Sequence, residues 1–235
     1  MARTDYSSQL AEVADEAESR SFLVSVYRWM SLGLAVTGLA AMAVASSPQA
    51  LSFIFGNPVV RWGLIIAELG MVFAFTGLIR RVSATTAGLL FFAYAITNGL
   101  TLSVIFLVYT RASIASTFFV TAGTFAAMSA YGAITKKDLS SWGSFLFMGL
   151  IGVILGSVVN FFLASPMLYW GLTFAGLLVF VGLTAYDTQK IKALSQPGNG
   201  GIGDPTKAAL FGALMLYLDF VNLFLYLLRV FGKRR

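Results

Sequence analysis

The sequence contains no cysteine and no histidine among its 235 residues. These absences exclude disulfide bonds, thiol nucleophiles, zinc sites built on cysteine or histidine, and haem held by either residue. Any chemistry must therefore use carboxylates, hydroxyls, amides or a few basic groups. Charge is also scarce, because Asp, Glu, Lys and Arg make up only 11% of the chain, against about 25% in a typical soluble domain.

Long apolar runs take the place of the missing charges. Hydrophobic residues make up 58% of the chain, and the mean hydropathy is +0.82. Four stretches contain no Asp, Glu, Lys or Arg: 29–60, 82–110, 112–135 and 139–186. About 20 apolar residues, each rising about 1.5 Å, cross a hydrocarbon core of about 30 Å. The sequence therefore predicts an all-α integral membrane protein with several spans.

Breaks rich in proline, glycine or basic residues divide the apolar part into seven predicted spans. Their approximate ranges are 22–46, 60–79, 86–109, 112–134, 143–164, 167–187 and 206–229. The first span follows about 20 polar residues, so we interpret it as retained rather than as a signal peptide. We predict a polar N-terminal segment (1–20), a seven-helix transmembrane domain (21–230) with its C-terminal helix at the centre, and a basic tail (231–235).

The loop charges predict an orientation. Basic residues concentrate in alternate loops: Arg80, Arg81, Lys136, Lys137, Lys190, Lys192 and Lys207. This positive-inside pattern favours a cytoplasmic N-terminus and explains the net charge of +6 without a nucleic-acid partner. Seven crossings would leave the C-terminus outside, although the tail reads GKRR. The last segment therefore either crosses the membrane and carries a basic tail to the outside, or enters the membrane and returns to the same side as a re-entrant element.

Asp219 lies in the middle of the last apolar run, LMLYLDFVNLFLYLL. A charge at mid-membrane costs at least about 2.5–3.5 kcal/mol and usually faces the interior of a helix bundle. The helical neighbours of Asp219 form a stripe of smaller and more polar residues: Gly212, Met215, Asn222 and Tyr226. This pattern predicts that Asp219 and Asn222 face inward, with Asn222 beside a cavity or ion path.

Asp187 stands at the predicted inner end of span six. Spans six and seven are consecutive and antiparallel, so Asp187 and Asp219 can meet. Two carboxylates that share a hydrogen bond cannot both ionise cheaply, so such a pair holds one proton near neutrality and responds to pH. Counted along two regular helices that end at one level, the carboxylates would miss each other by roughly 9 Å. The pairing therefore requires that residues 205–210 be partly unwound, or that span seven tilt strongly.

Two further charged residues lie in or beside span two. Glu68 is interpreted as a cavity-facing carboxylate or a cation way-station, because a buried glutamate without a function is rare. Arg80, at the inner end of the span, is the candidate latch that would hold Asp187 by a charge-assisted hydrogen bond. The alternative is that Arg80 and Arg81 only set the topology.

Four polar residues stand in otherwise apolar spans: Thr97, Asn98, Thr101 and Asn160. Hydrogen bonds between helices, at about 0.6 kcal/mol each, are the simpler explanation, and pore lining is the alternative. The recurring glycines of GLAVTG, GLIGVILG and GLTFAG are interpreted as helix packing positions without chemistry.

Two stretches of the sequence closely resemble the last two segments of the Bax inhibitor family, the transmembrane Bax inhibitor motif proteins and their bacterial relatives. They are GLTAYDTQKIKAL (Gly182–Leu194) and ALMLYLDFVNLFLYLLRVFG (Ala213–Gly232). VYRWMSLGLAVTG (Val26–Gly38) and AYAITNGLTLS (Ala93–Ser103) fit the same family. The resemblance covers essentially the whole chain after about residue 20.

The resemblance implies a seven-helix bundle with a central last helix and a pH-dependent calcium leak. The family's gating carboxylate pair matches Asp187 and Asp219, which would also bind calcium transiently, and its latching arginine matches Arg80 or the adjacent Arg81. Calcium is then the permeant ion rather than a cofactor, no cofactor is expected, and the protein is not an enzyme. The expected partners are the lipid bilayer, calcium, protons and other membrane proteins, and the expected role is in ion homeostasis and stress or cell-death protection.

The residues leave three alternatives open. A proton-coupled transporter or exchanger would also use a carboxylate pair. A non-conducting membrane adaptor would need Asp219 only for helix packing. An aspartyl intramembrane protease would use Tyr186-Asp187 and Gly201-Ile202-Gly203-Asp204, but the second motif lies in a loop rich in proline and glycine. The location predicted is a bacterial inner membrane, or the endoplasmic reticulum if the protein is eukaryotic.

Overall fold

The computed structural model describes the backbone of residues 2–196 and 202–235, and the side chains of 16–196 and 202–235. Helices dominate the described residues. They are α1 (Ala2–Ala45), α2 (Pro48–Gly56), α3 (Pro58–Leu78), α4 (Ala84–Leu102), α5 (Ile105–Val108), α6 (Arg111–Ile134), α7 (Ser140–Leu163), α8 (Pro166–Leu194) and α9 (Pro205–Phe231). The predicted all-α class is confirmed, since the described residues contain no strand beyond one isolated bridge, Tyr109 with Arg234.

Seven helical segments of the described chain are long and apolar enough to cross a membrane, which confirms the predicted number of spans. The sixth runs to Leu194 rather than ending near 187, so Asp187 lies two turns inside α8. The stretch read as a simple break between spans one and two contains the nine-residue helix α2. Proline explains several boundaries: four of the five prolines open helices, where the missing N–H costs nothing.

The last span is buried to a different degree from the others. In its most apolar window 72% of the residues are buried, against 6% to 39% in the other six spans. A helix surrounded by protein needs no lipid-facing side, and this is the pattern expected of a helix that is apolar all round. The central position of α9 stays a prediction, and its burial is in keeping with it.

The chain forms two compact units. The first contains residues 1–103 and 190–215. Within it, Thr37 Oγ1 in α1 donates to the carbonyl of Ala95 in α4 at 2.8 Å. A methyl group on Gly99 would stand 2.6 Å from the Thr37 carbonyl oxygen, so the two helices approach each other as closely as their backbones allow. Gly99 is therefore a helix packing position. Of the glycines predicted to pack, Gly149, Gly156 and Gly176 have close neighbours, whereas a Cβ on Gly38, Gly152 or Gly171 would meet nothing within 4 Å.

The second unit contains residues 104–189 and 216–235, and so includes both Asp187 and Asp219. Here a Cβ on Gly132 in α6 would collide with the backbone of Ala185 in α8. A Cβ on Gly176 in α8 would collide with the ring of Tyr226 in α9. α8 therefore packs tightly between α6 and α9. The division predicted from sequence at residues 20 and 230 stays a prediction, and α1 runs without a break across the first of these positions.

Candidate functional site: the Asp187–Asp219 pair

Asp219 is enclosed by the protein. Only 4% of its surface is exposed, which is unusual for a carboxylate. It interacts with Asp187, half-buried on α8, through charge and through a side-chain hydrogen bond. The second carboxylate oxygen of Asp219, Oδ2, is buried without a hydrogen-bond partner among the described residues. The two aspartates that the sequence singled out are thus adjacent.

The start of α9 is not distorted. α9 is helical from Pro205 onward, so the expected unwinding of residues 205–210 is wrong. The pair therefore forms between two helices without an unwound turn, and the alternative, a strong tilt of span seven, stays a prediction.

The helix segment around Asp187 is anchored by α6 and the loop that follows it. Thr188 Oγ1 donates to Thr184 O at 2.7 Å and reaches Ser129 Oγ of α6 at 3.3 Å. Gln189 Nε2 donates to the Lys137 carbonyl at 2.8 Å, and its Oε1 accepts from the Leu139 N–H at 2.8 Å. Asp187 is therefore presented by a rigid part of α8 rather than by a free helix end.

Aromatic packing contributes to holding α9 beside the pair. Phe220, the next residue after Asp219, is 4% exposed and packs edge-on against Phe118 and Phe125 of α6, with ring centroids 5.4 Å apart in each case. Tyr226, two turns further on, stacks on Phe180 of α8 at 5.7 Å. These contacts bury apolar surface without directional bonds, so α9 is held by packing on either side of the acid pair.

Asn222 stands near Asp219 on α9, as the helical spacing predicts. Its Nδ2 donates to the Leu218 carbonyl of its own helix at 2.8 Å, and the residue is half-buried. The amide oxygen remains available as a ligand-type oxygen one turn from the carboxylate. The role of Asn222 beside an ion path stays a prediction.

Glu68 belongs to the first unit and occupies the middle of α3. Its carboxyl group lies close to the side chains of Thr101 and Asn98, both on α4. Its Oε1 is buried without a hydrogen-bond partner in the described part of the chain. Thr101 Oγ1 donates to the Thr97 carbonyl at 3.4 Å and Thr97 Oγ1 to the Ala93 carbonyl at 2.9 Å, both within α4 rather than between helices.

Arg80 follows α3 in the turn before α4 and is exposed. The carbonyls of Arg80 and Val82 accept hydrogen bonds from Lys207 Nζ at 3.3 and 3.2 Å. Lys207 thus tethers this turn to the first turn of α9, a role that its sequence position did not indicate. Arg80 lies in the first unit and the acid pair in the second, so the latch stays a prediction.

Two other polar residues have local roles that the sequence reading missed. Asn160 was predicted to bond between helices, but its Oδ1 accepts from the Ser165 N–H at 3.0 Å just beyond α7. Asp204, the aspartate of the protease-like GIGD motif, accepts from the N–H groups of Thr206 and Lys207 at 2.8 and 3.2 Å and caps α9. Both side chains thus accept hydrogen bonds from backbone N–H groups at the ends of helices. Gly201 of that motif lies outside the described residues.

The ligands available for a cation are carboxylate, amide and hydroxyl oxygens. No group of three or more His, Cys, Asp or Glu residues clusters in the described part of the chain. The Asp187–Asp219 pair offers hard oxygens of the kind that calcium prefers. Transient calcium binding at the pair stays a prediction.

Comparison with known proteins gives one family over nearly the whole chain. A family model described as inhibitor of apoptosis-promoting Bax1 matches residues 19–235. The inner membrane protein YbhL of Escherichia coli K12 is 50% identical over 224 residues, which is 95% of this chain and 96% of that protein. A protein of Rickettsia prowazekii is 44% identical over 219 residues, covering 92% and 91%. One from Borreliella burgdorferi is 42% identical over 214 residues, covering 91% and 92%. The name of the E. coli protein indicates a membrane location and no enzymatic activity.

Proposed function

Because the chain belongs to the Bax inhibitor family, we propose that it is a pH-sensitive calcium leak channel gated by Asp187 and Asp219. The location in a bacterial inner membrane follows from the seven spans and from the similarity to an inner membrane protein. The observation that carries the proposal is the hydrogen-bonded pair of aspartates, one of them buried, inside a membrane bundle. A role in ion homeostasis under stress would follow from such a leak.

The gate follows from the chemistry of two carboxyl groups. A hydrogen bond between them needs a proton on one of the two, because ionised carboxylates are acceptors only. With that proton in place, the bond joins α9 to α8 and the path is closed. A change of protonation removes the bond or adds repulsion, which frees the packed segment of α9 and admits water. The ionised oxygens then contact calcium in transit.

The surroundings of the pair support a two-state element of this kind. α8 is anchored at Thr188 and Gln189 by directional hydrogen bonds. α9 is held in the same unit by ring packing at Phe220 and Tyr226. Ring contacts can slide by small amounts more readily than hydrogen bonds, so the middle of α9 around Asp219, between the hydrogen-bonded start and end of the helix, is the part expected to move.

Glu68 supports an ion path in the first unit. Its buried Oε1 has no partner among the described residues, and leaving such an oxygen unsatisfied costs about 1–3 kcal/mol. A passing hydrated cation would satisfy it. We therefore assign Glu68 to the path and not to the gate.

The test is calcium entry into liposomes that contain the purified protein and a trapped calcium dye. Influx is recorded between about pH 6 and pH 8, where a pair that shares a proton near neutrality titrates. Wild type is compared with Asp187→Asn, Asp219→Asn and the control Asp138→Asn, an exposed aspartate of the loop between α6 and α7. We expect influx to depend on pH in the wild type and the control, and the dependence to be lost in both pair variants.

Other outcomes point to other functions. Influx that stops when a proton gradient is collapsed would favour a proton-coupled exchanger. Absence of influx at every pH, from protein that is folded and stable, would exclude the channel and favour an adaptor role.

A further inference from the structure

The C-terminal tail is fastened to the loop between α5 and α6. The Thr110 N–H donates to the Lys233 carbonyl at 3.0 Å, and the Arg235 N–H donates to the Val108 carbonyl at 3.0 Å. Tyr109 and Arg234 form the antiparallel bridge between these bonds. The Lys233 N–H adds a bond to Ser113 Oγ at 2.8 Å. All of these residues belong to the second unit.

Gly232 permits this attachment. A Cβ at this position would collide with the Leu228 carbonyl and would stand 2.6 Å from the ring of Tyr109. The chain therefore leaves α9 at the one residue that can pass so close to the loop. The tail is a built feature of the unit and not a loose end.

The attachment brings exposed basic side chains together at this end of the second unit. Lys233, Arg234 and Arg235 are exposed beside Arg111, the first residue of α6. We call these four residues the tail cluster. The acidic residues of the second unit are the paired Asp187 and Asp219, and Asp138, which follows the other end of the 24-residue α6. No salt bridge within the described part of the chain involves the cluster.

Exposed aromatic residues lie at the helix ends that seven crossings put on the same side of the membrane as the cluster. Phe231 is 62% exposed, and Phe161 and Phe162 at the end of α7, which leads into the loop before α8, are 76% and 79% exposed. Trp170 and Tyr169 lie in the first turn of α8, the depth at which aromatic belts occur at membrane interfaces.

We propose that the tail cluster binds the headgroup phosphate of anionic phospholipid, in the leaflet opposite the cytoplasmic N-terminus. Four positive charges on a fixed backbone favour an anionic partner, and the exposed aromatic ring of Phe231, directly before the tail, favours a lipid over a soluble anion. The proposal explains why a basic tail is tolerated on the side that the positive-inside pattern disfavours. It is independent of the calcium leak.

The test is titration of phosphatidylglycerol into delipidated protein in mild detergent, with bound lipid counted by native mass spectrometry. Arg234→Gln/Arg235→Gln is compared with Lys136→Gln/Lys137→Gln, two exposed basic residues at the other end of α6. At about fivefold per charge, the tail variant should bind about 30-fold more weakly, and the loop variant should bind as wild type does. Arg234→Lys/Arg235→Lys should retain the affinity, and equal melting temperatures would show that all variants are folded.

Three results would overturn the proposal. The first is wild-type affinity in Arg234→Gln/Arg235→Gln. The second is an equal loss in both glutamine variants, which would mean nonspecific attraction. The third is that inorganic phosphate displaces the lipid from the cluster at the concentrations at which the lipid itself binds, which would identify a soluble anion as the ligand.

Discussion

Gly132 of α6 lies directly against the backbone of Ala185 of α8, so closely that a single added carbon would collide with the Ala185 carbonyl. Asp187 stands two residues further along the same turn of α8. The close approach of α6 therefore fixes the segment that presents the acid to Asp219. Small residues at helix contacts supply this kind of precision in membranes, where helices gain nothing from burial against each other in place of lipid.

Gly132→Ala should destabilise the protein by about 1–3 kcal/mol, because the added methyl meets backbone atoms that cannot turn aside. The control is Gly123→Ala on the same helix, where nothing lies within 4 Å of the added carbon. Thermal unfolding in detergent measures both. If the two variants have the same melting temperature, the contact between Gly132 and Ala185 does not set the position of α8.

Asp187→Ala should destabilise the protein by about 1–3 kcal/mol, because it leaves the buried Asp219 without its partner. Replacing both residues, as Asp187→Ala/Asp219→Leu, should cost less than the single change, since no buried polar group is then left unsatisfied. Denaturant unfolding in detergent gives the two values. If the destabilisation of the double variant equals the sum of those of the two single variants, the pairing is contradicted, because the effects of independent sites add.

Glu68→Gln should lower calcium influx about fivefold while leaving its pH dependence intact. The amide has nearly the shape of the carboxylate and stays beside Asn98 and Thr101, but it removes a charge, and a charge pair is worth about 1 kcal/mol at 4 Å even in bulk water. The matched control is Thr97→Val, since Thr97 bonds only to its own helix. Loss of pH dependence in Glu68→Gln would move this residue from the path to the gate.

Asp204→Ala should cost about 0.5–2 kcal/mol through the lost cap of α9, and Asp204→Asn should cost much less. Neither change should alter calcium influx per folded molecule, because Asp204 acts on the helix end and not on the acid pair. Melting temperature and influx are measured on the same samples. Peptide cleavage by the wild type that Asp204→Asn abolishes would instead revive the protease hypothesis.

Much of the architecture was predictable from the distribution of apolar and charged residues along the chain. Uncharged runs of the length of a bilayer leave few options, so seven spans, their approximate limits and the membrane location followed from hydropathy and loop charges. The same scarcity of charge made Asp219 conspicuous, because a carboxylate in an apolar helix needs a reason. Asp187 was harder to interpret, since it was predicted at a helix end where a charge is ordinary.

The tertiary structure decided the features that depend on distances between helices. Spacing along the chain suggested a 9 Å mismatch at the acid pair, to be removed by an unwound start of α9 or by a strong tilt, and the structure excludes the unwound start. Only packing determines relative depth, as the contact between Gly132 and Ala185 shows for α6 and α8. The attachment of the tail to residues 108–113 was likewise invisible in the sequence, because backbone hydrogen bonds carry no residue signature. Hydropathy depends on each residue's own solvation, whereas register, pairing and capping depend on which atoms meet.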